Sequence, residues 1–388
     1  MKTNQNRGIS LIVLVITIII MIILAGAIIL ALNSSNIIGR AEEARTLSDD
    51  ASKRQIANVA LGEFMLKQQE NPNITETAEE YVMGKLEAQK INTDNVAIVD
   101  NKVIVGSGAS FIKQERASVN PLKIGDYVEY TPDVRTSTKY KIGAWDENYE
   151  WQEGESFATE ADIKWRYIGV DKNGNALLLS DKVTTGILHL EGTEGYLQGP
   201  TKLNDLCKEL YSSGKGEARS VNVEDVNKVL GAKPKEFFWD EDYIKVYLPS
   251  PKTIGQIMAE YNQPGVGWTE TPDGKDIKNY LVNYYYYEGS TTPKGQDINS
   301  EEYKLIFRNI TNTGNISYWL SSSCVDADFN SGYAYFNVRC VSDSYVDTAR
   351  MFYSDGDSYD RYLPVRPIVS LKSNVQIGDK EGEVWKLK

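Results

Sequence analysis

The run "YWLSSSCVDADFNSGYAYFNVRCVSDSYVDTARMFYSDGDSYDRYLPVRPIVSL", residues 318–371, decides the fold. Apolar and aromatic side chains recur through it at near-strand spacing, at Trp319, Ala334, Phe336, Val338, Val365 and Ile368. Turn-forming clusters, "DADFNSG" at 326–332 and "SDGDSYD" at 354–360, cut it into strands. Of the 45 residues from Tyr318 to Tyr362, 24 are Ser, Tyr, Asp or Asn. That share is too high for a packed core, so many of these side chains face water or a partner.

Moving towards the N-terminus, the texture stays one of short strands and turns as far back as "IGDYVEYTP" at 124–132. "IKWRYIGVDKNGNALLLS" (163–180) reads as strand, Asn-Gly turn, strand, with Trp165, Tyr167, Leu177 and Leu179 as inward residues. "TKLNDLCKELYSS" (201–213) sets Leu203, Leu206 and Leu210 at helical spacing, which puts Cys207 on or near a buried helix face as an inert core thiol. "SVNVEDVNKVLG" (220–231) is a second short helix, capped by Ser220 or Asn222 and stopped by Gly231. His189 in "GILHLEG" has no ligand-like spacing and reads as structural. Further upstream, "NPNITETAEEYVMGKLEAQKI" (71–91) starts a helix with Thr75 or Thr77 as cap and Glu79 and Glu80 in its first turn. "NVAIVDNKVIVG" (95–106) is a hairpin about Asp100-Asn101, and "SGASFIKQERASVNP" (107–121) reads as a linker.

The chain opens with "RGISLIVLVITIIIMIILAGAIIL" (7–30). Ile9 to Leu32 is 24 residues without a charge or proline. As a helix it measures roughly 36 Å at 1.5 Å per residue, enough to cross a bilayer with some tilt. Lys2 and Arg7 precede it, so the positive-inside rule puts the N-terminus in the cytoplasm and all that follows outside. Helical patterning continues beyond it through Ile38, Ala41, Ala44, Leu47 and Ala51, then Ile56, Ala60 and Phe64. One long helix, apolar first and amphipathic afterwards, is the expectation for residues 9–66.

Among 388 residues the formal net charge is -12, which excludes nucleic acid as a partner because phosphate binding needs a basic patch. Three cysteines, Cys207, Cys324 and Cys340, are an odd number and exclude a fully paired disulfide framework. A lone histidine leaves at most one candidate for a His-based zinc site or triad. "DADFNSG" places Asp326, Asp328 and Asn330 two apart, but Ser331 and Asn337 stand where a calcium loop needs glycine and a bidentate glutamate. Asp355, Asp357 and Asp360 are an alternative calcium cluster, though Asp-Gly clusters mostly serve turns, and the expectation is no metal, no cofactor and no catalytic residue.

The basic leader ending in Gly8, the apolar helix beginning at Ile9 and its amphipathic continuation resemble the type IV pilin family, type II secretion pseudopilins included. That resemblance implies cleavage after Gly8 by a prepilin peptidase, methylation of the new Ile9 amine, and packing with other pilin-like subunits. Val13 stands where the family usually carries a glutamate, which favours a minor, tip-located or membrane-retained subunit. "YWLSSS", "YAYFNVRCV" and "YLPVRPIVSL" resemble C-type lectin-like domains of the branch that includes formylglycine-generating enzymes and bacterial surface proteins. The resemblance implies that Trp319 packs in the core and that Arg366 is a structural arginine bonding backbone or carboxylate. It carries over no catalytic role, since Cys324 and Cys340 are not placed to match the enzymes' cysteine pair.

The Tyr/Ser-rich block also resembles the variable regions of lectin-like proteins diversified by retroelements. On that resemblance Tyr333, Tyr335, Asn337, Tyr345, Asp347, Tyr353, Asp355, Asp357 and Tyr359 are the displayed, ligand-binding positions. Antibody paratopes use the same residue types, because Tyr gives rigid contact area at low entropy cost. "NYYYYEG", with Tyr284 to Tyr287, adds aromatic surface to the same face.

The fold class expected is therefore α+β: a long N-terminal transmembrane, pilin-like helix followed by a mixed α+β C-type lectin-like domain. The divisions are 1–8 leader, 9–66 helix, 67–118 a small helix-hairpin module with linker, and 119–388 the lectin-like domain. The function expected is an adhesin-type, cell-surface protein bound to the membrane and to an unknown glycan or protein ligand. The alternative is a structural minor pseudopilin without its own ligand.

Overall fold

The computed structural model describes residues 37–388 apart from 73, 118, 146–150, 232–244, 254–255, 257–280, 287–298, 309–315, 329–332, 343–344 and 354–356. The fold is α+β. The chain divides into two compact units, one of residues up to Asn92 with Asp100–Val103, the other of Thr93–Val99 and Ile104–Lys388.

In the first unit, helix α1 (Ile37–Glu70) carries Ala57, Ala60, Leu61 and Phe64 buried at i, i+3, i+4 and i+7. Helix α2 (Ala78–Ala88) packs there, with the Phe64 and Tyr81 rings 5.7 Å apart. Thr77, of the two candidate caps, closes the α2 start: its hydroxyl accepts the Glu80 amide at 3.1 Å, and the Glu80 carboxylate accepts the Thr77 amide at 2.7 Å. Glu63 receives hydrogen bonds from Tyr81 and Lys85, tying the two helices. The expected stripe fails at its start, for Leu47 and Ala51 are exposed. The physical reason is length: α2 has 11 residues, and its side-chain contacts with α1 at Glu63, Phe64 and Lys67 fall well beyond Leu47 and Ala51. No helix among the described residues is long and apolar enough to cross a membrane. The apolar run 9–32, with Gly8 and Ile9, lies outside the described residues.

Strands β1 (Val96–Val99) and β2 (Lys102–Val105) pair with each other. Asp100 (φ 47°) and Asn101 (φ 58°) both take the left-handed conformation a two-residue hairpin needs, as short polar side chains can. The stretch read as a linker is instead helix α3 (Gly108–Glu115), with Phe111, Ala109 and Ile112 buried. Its Gly and Ser residues signal close packing rather than flexibility. A Cβ at Gly108 would lie 2.7 Å from the Gly174 carbonyl oxygen, and the Ser107 hydroxyl donates to Leu371 O at 3.1 Å while accepting the Ala176 amide at 2.9 Å. The second unit therefore begins before residue 107, upstream of the expected boundary at 119.

The remaining elements follow in order: β3 (Tyr127–Val128), β4 (Thr136–Trp145), β5 (Trp151–Ala158), β6 (Trp165–Val170), β7 (Ala176–Ser180), β8 (Ile187–Glu191), α4 (Gly192–Tyr211), β9 (Gly216–Ser220) and α5 (Val223–Val229). Then come β10 (Lys245–Thr253), β11 (Leu281–Tyr286), α6 (Glu301–Phe307), β12 (Tyr318–Asp328), β13 (Tyr333–Ser342) and β14 (Tyr345–Tyr353). The last are β15 (Asp360–Pro364), β16 (Pro367–Leu371), β17 (Ile377–Glu381) and β18 (Val384–Leu387). Among the described residues, one sheet runs β17-β18-β3-β6-β7-β16-β9 and a second runs β10-β11-β12-β13-β14. The ribbons β4-β5 and β8-β15 stand apart from both.

β7 is buried along its whole length, so its two faces serve two clusters. Trp165, Tyr167 and Leu178 join Leu203, Leu206, Cys207 and Trp319 in one. Leu177 and Leu179 join Val226, Phe307, Tyr318 and Ile368 in the other. All four residues expected inward are inward, but they point to opposite sides of the sheet. The "DKNGN" turn is wider than a two-residue loop: the Asp171 carboxylate accepts the amides of Asn173 (2.8 Å) and Asn175 (2.9 Å). Asn222, of the two candidates, caps α5, and Gly231 (φ 62°) follows its end.

Helix α4 runs continuously through Pro200, and its buried side packs closely on the core. A Cβ at Gly195 would stand 2.9 Å from Met351 Sδ. The outer edge of β9 is closed by side chains, the Ala218 amide donating to Ser212 Oγ (2.9 Å) and the Ser220 amide to Asn204 Oδ1 (3.1 Å).

Candidate functional site

The two residues carried over from the lectin-like resemblance both sit where a core role requires. Trp319 is fully buried and its indole Nε1 donates to Leu188 O at 2.9 Å. Arg366 is also fully buried; its Nε and Nη2 donate to Ser180 O (3.2 and 3.0 Å), its Nη1 donates to Ile306 O (3.1 Å), and its guanidinium lies 5.2 Å from the Tyr318 ring centre. Among the described residues carbonyls, not a carboxylate, are its partners.

Above that core the five-stranded sheet aligns a single cross-strand row, Lys245, Tyr286, Asp326, Tyr335 and Tyr353. The "NYYYYEG" run thus enters the same sheet through β11. One step along, the β13–β14 register slips: Phe336 pairs with Phe352 but Asn337 pairs with Arg350, leaving Met351 as the extra residue of a bulge. Met351 and Phe352 are consecutive and both buried in the same cluster, and Arg350 comes out beside Tyr353.

The result is a cluster of aromatic rings around a cation. The Tyr335 and Tyr353 ring centres are 4.6 Å apart in an edge-on arrangement, and Tyr353 and Tyr359 are 4.8 Å apart. Arg350 Cζ lies 4.9 Å from the Tyr335 ring and 5.8 Å from the Tyr353 ring, and its Nη1 donates to the Tyr353 hydroxyl at 2.8 Å. Arg350 and Asp357 are exposed, and the three tyrosines are partly so. The backbone is fixed beneath them. The Tyr353 amide donates to Asp357 O, the Tyr359 amide to Met351 O and the Gly192 amide to Tyr359 O, each at 2.8 Å. Phe336 and Phe352 stack at 4.3 Å with Tyr196 edge-on to both, forming a rigid floor. The hydrogen bond with Tyr353 pushes the Tyr359 hydroxyl pKa up.

Of the positions expected on display, Tyr335, Tyr353, Asp357 and Tyr359 are brought together here. Asn337 is not displayed: it is fully buried, with Nδ2 donating to Tyr335 O at 3.1 Å. Its correction follows from the strand itself, since β13 is covered on both faces from Phe336 to Val341. Tyr345 pairs with Ser342 and Asp347 with Cys340 at the other end of β14. From Asp347 to Tyr353 is six residues, roughly 20 Å at about 3.3 Å per residue, so one small ligand does not span both. Tyr333 pairs with Asp328, and Asp355 lies outside the described residues. Arg350 was not among the expected positions. Its parity in "TARMFY" matches Phe352, and only the bulge separates their directions.

His189 is structural in the sense expected. Its ring stacks on Tyr362 at 4.3 Å and 3°, with Nε2 3.8 Å from the Asp360 carboxylate, while the Tyr362 hydroxyl donates to that carboxylate at 2.5 Å. Burial holds the His189 pKa below its ordinary 6.5, outweighing the opposite pull of Glu191 and Asp360. The unfolded chain therefore binds a proton that the native fold resists, and stability falls as pH drops below about 6.5. His189→Phe keeps the stack and removes the proton. Urea midpoints measured at about pH 7.5 and about pH 5.5 are expected to differ less in this variant than in the native chain. An unchanged difference would assign the acid sensitivity elsewhere.

All three cysteines are free and buried. Cys324 and Cys340 belong to the two separate clusters, so they form no pair, and burial pushes the Cys207 thiol far up. Comparison with protein-family models, with curated proteins and with solved structures gives no match for this chain.

Proposed function

We propose that the chain is a pilin-like, cell-surface-displayed ligand-binding protein of the adhesin type, without catalytic activity. In this reading the N-terminus is cytoplasmic, the apolar run 9–32 anchors the chain in the membrane, prepilin peptidase cuts after Gly8, and other pilin-like subunits pack beside it. The second unit is a C-type lectin-like domain held outside, and its ligand is a surface glycan or protein. The observation that carries the reading is the partly exposed cluster of Tyr335, Tyr353 and Tyr359 around the exposed Arg350, mounted on a stacked aromatic floor. Large rings with fixed backbones lose little entropy on binding, which is what interface anchors require.

The test is a screen of the full chain in detergent micelles against glycans and bacterial and host surface proteins. Tyr353→Ala is expected to weaken any hit by about 2 kcal/mol, roughly 30-fold. A screen blank throughout, with fibre assembly lost on deleting the second unit, would replace this reading by the pseudopilin one. Mass spectrometry of the native N-terminus tests the processing half: a methylated Ile9 agrees with it, and an intact Met1 does not.

A further inference from the structure

Arg350 is the residue whose arrangement the aromatic surface alone does not explain. Its guanidinium has five N–H donors, and the described residues take one of them, through the Tyr353 hydroxyl. It is exposed, and no carboxylate among the described residues pairs with it. Two tyrosine rings at 4.9 and 5.8 Å hold the planar group in place. A guanidinium fixed in this way presents a two-pronged donor edge, the geometry that a carboxylate oxygen pair accepts.

From this we propose that the cluster binds a saccharide bearing a carboxylate, with Arg350 taking the carboxylate and the tyrosine rings packing on the sugar. The inference rests on the ligand-binding reading above and names its ligand class. Other occupants fit the same geometry less well. The cation-accepting sides of Tyr335 and Tyr353 are already engaged by Arg350, which disfavours a cationic ligand. An extended peptide needs a free strand edge, but beside the cluster the β14 edge is used, Tyr353 N–H by Asp357 O and Met351 O by Tyr359 N–H. A polyphosphate or nucleic acid needs several cations, and the cluster offers one, which matches the single charge of one carboxylate. The Tyr335, Tyr353 and Tyr359 rings, with neighbouring centres 4.6 and 4.8 Å apart, offer inclined apolar faces beside the guanidinium for a sugar ring to pack on.

The test measures binding of the full chain in detergent micelles to a glucuronic-acid-terminated oligosaccharide and to its glucose-terminated counterpart. The acidic sugar is expected to bind about 10- to 100-fold more tightly, the worth of charged hydrogen bonds. Arg350→Gln is expected to abolish the preference, bringing the ratio of the two affinities to about one. Arg350→Lys keeps the charge without the fork and is expected to restore part of the difference. Equal affinity for both sugars in the native chain overturns the inference and leaves the ligand-binding reading intact. So does selectivity that survives Arg350→Gln, or a collapse of neutral binding in that variant, which would make Arg350 a prop for the rings. An acidic peptide bound in preference to either sugar also overturns it. Failure of both sugars overturns it too, and the broader reading falls with it only if the wider screen is blank.

Discussion

Truncation of Trp319 to alanine is expected to destabilise the second unit by about 3–5 kcal/mol, read as a lowered urea midpoint. The side chain is fully buried at the junction of the core beneath the five-stranded sheet, among Phe336, Val338 and Cys340 on one strand and Leu188 and Leu190 on another. Its removal leaves a cavity that neighbouring sheet strands, held by their own ladders, cannot close. It also strands the Leu188 carbonyl, which accepts the indole N–H at 2.9 Å. Trp319→Phe separates the two effects: it keeps much of the volume, and its cost is expected near the 1–3 kcal/mol of an orphaned buried acceptor. A loss below about 1 kcal/mol for the alanine variant would mean that the site collapses freely and that Trp319 does not organise the core.

Arg366→Ala is expected to cost a similar amount, about 3–5 kcal/mol, for a different reason. The guanidinium is buried without a carboxylate partner among the described residues, so its charge is met by carbonyl dipoles and the Tyr318 ring. Removing it relieves a desolvation penalty, which opposes the loss. The loss is expected to win because Ser180 O loses both guanidinium donors, Ile306 O is left with the Tyr318 hydroxyl (3.2 Å), and a large side-chain volume empties. Arg366→Lys is expected to fall between, since one ammonium does not span both carbonyls as the fork does. If Arg366→Met proved as stable as the native chain, desolvation would outweigh the hydrogen bonds and this account would be wrong.

Much of the local structure in both units was legible because its signals are short-range. The hairpin at Asp100-Asn101 is announced by residues that tolerate positive φ, and both adopt it. The caps at Thr77 and Asn222 and the stop at Gly231 obey the same short-range rules. Long-range packing was less legible. "GSGASF" has linker composition, yet its glycines are small because Gly174 and Val170 press against them. Strand β13 has alternating texture but is covered on both sides, so Asn337 and Arg339 are buried where alternation alone would expose them. The tyrosines of the site were visible as a composition. Arg350 was not, because a bulge is a property of two strands in register and neither strand spells it out.

The capped edge of β9 has a consequence for how copies of the chain meet. Asn204 and Ser212 occupy the outward amides of Ser220 and Ala218, so a neighbouring copy finds no donor row there on which to zip a strand. Crowded molecules can therefore brush past one another along this border without fusing into amyloid-like ribbons.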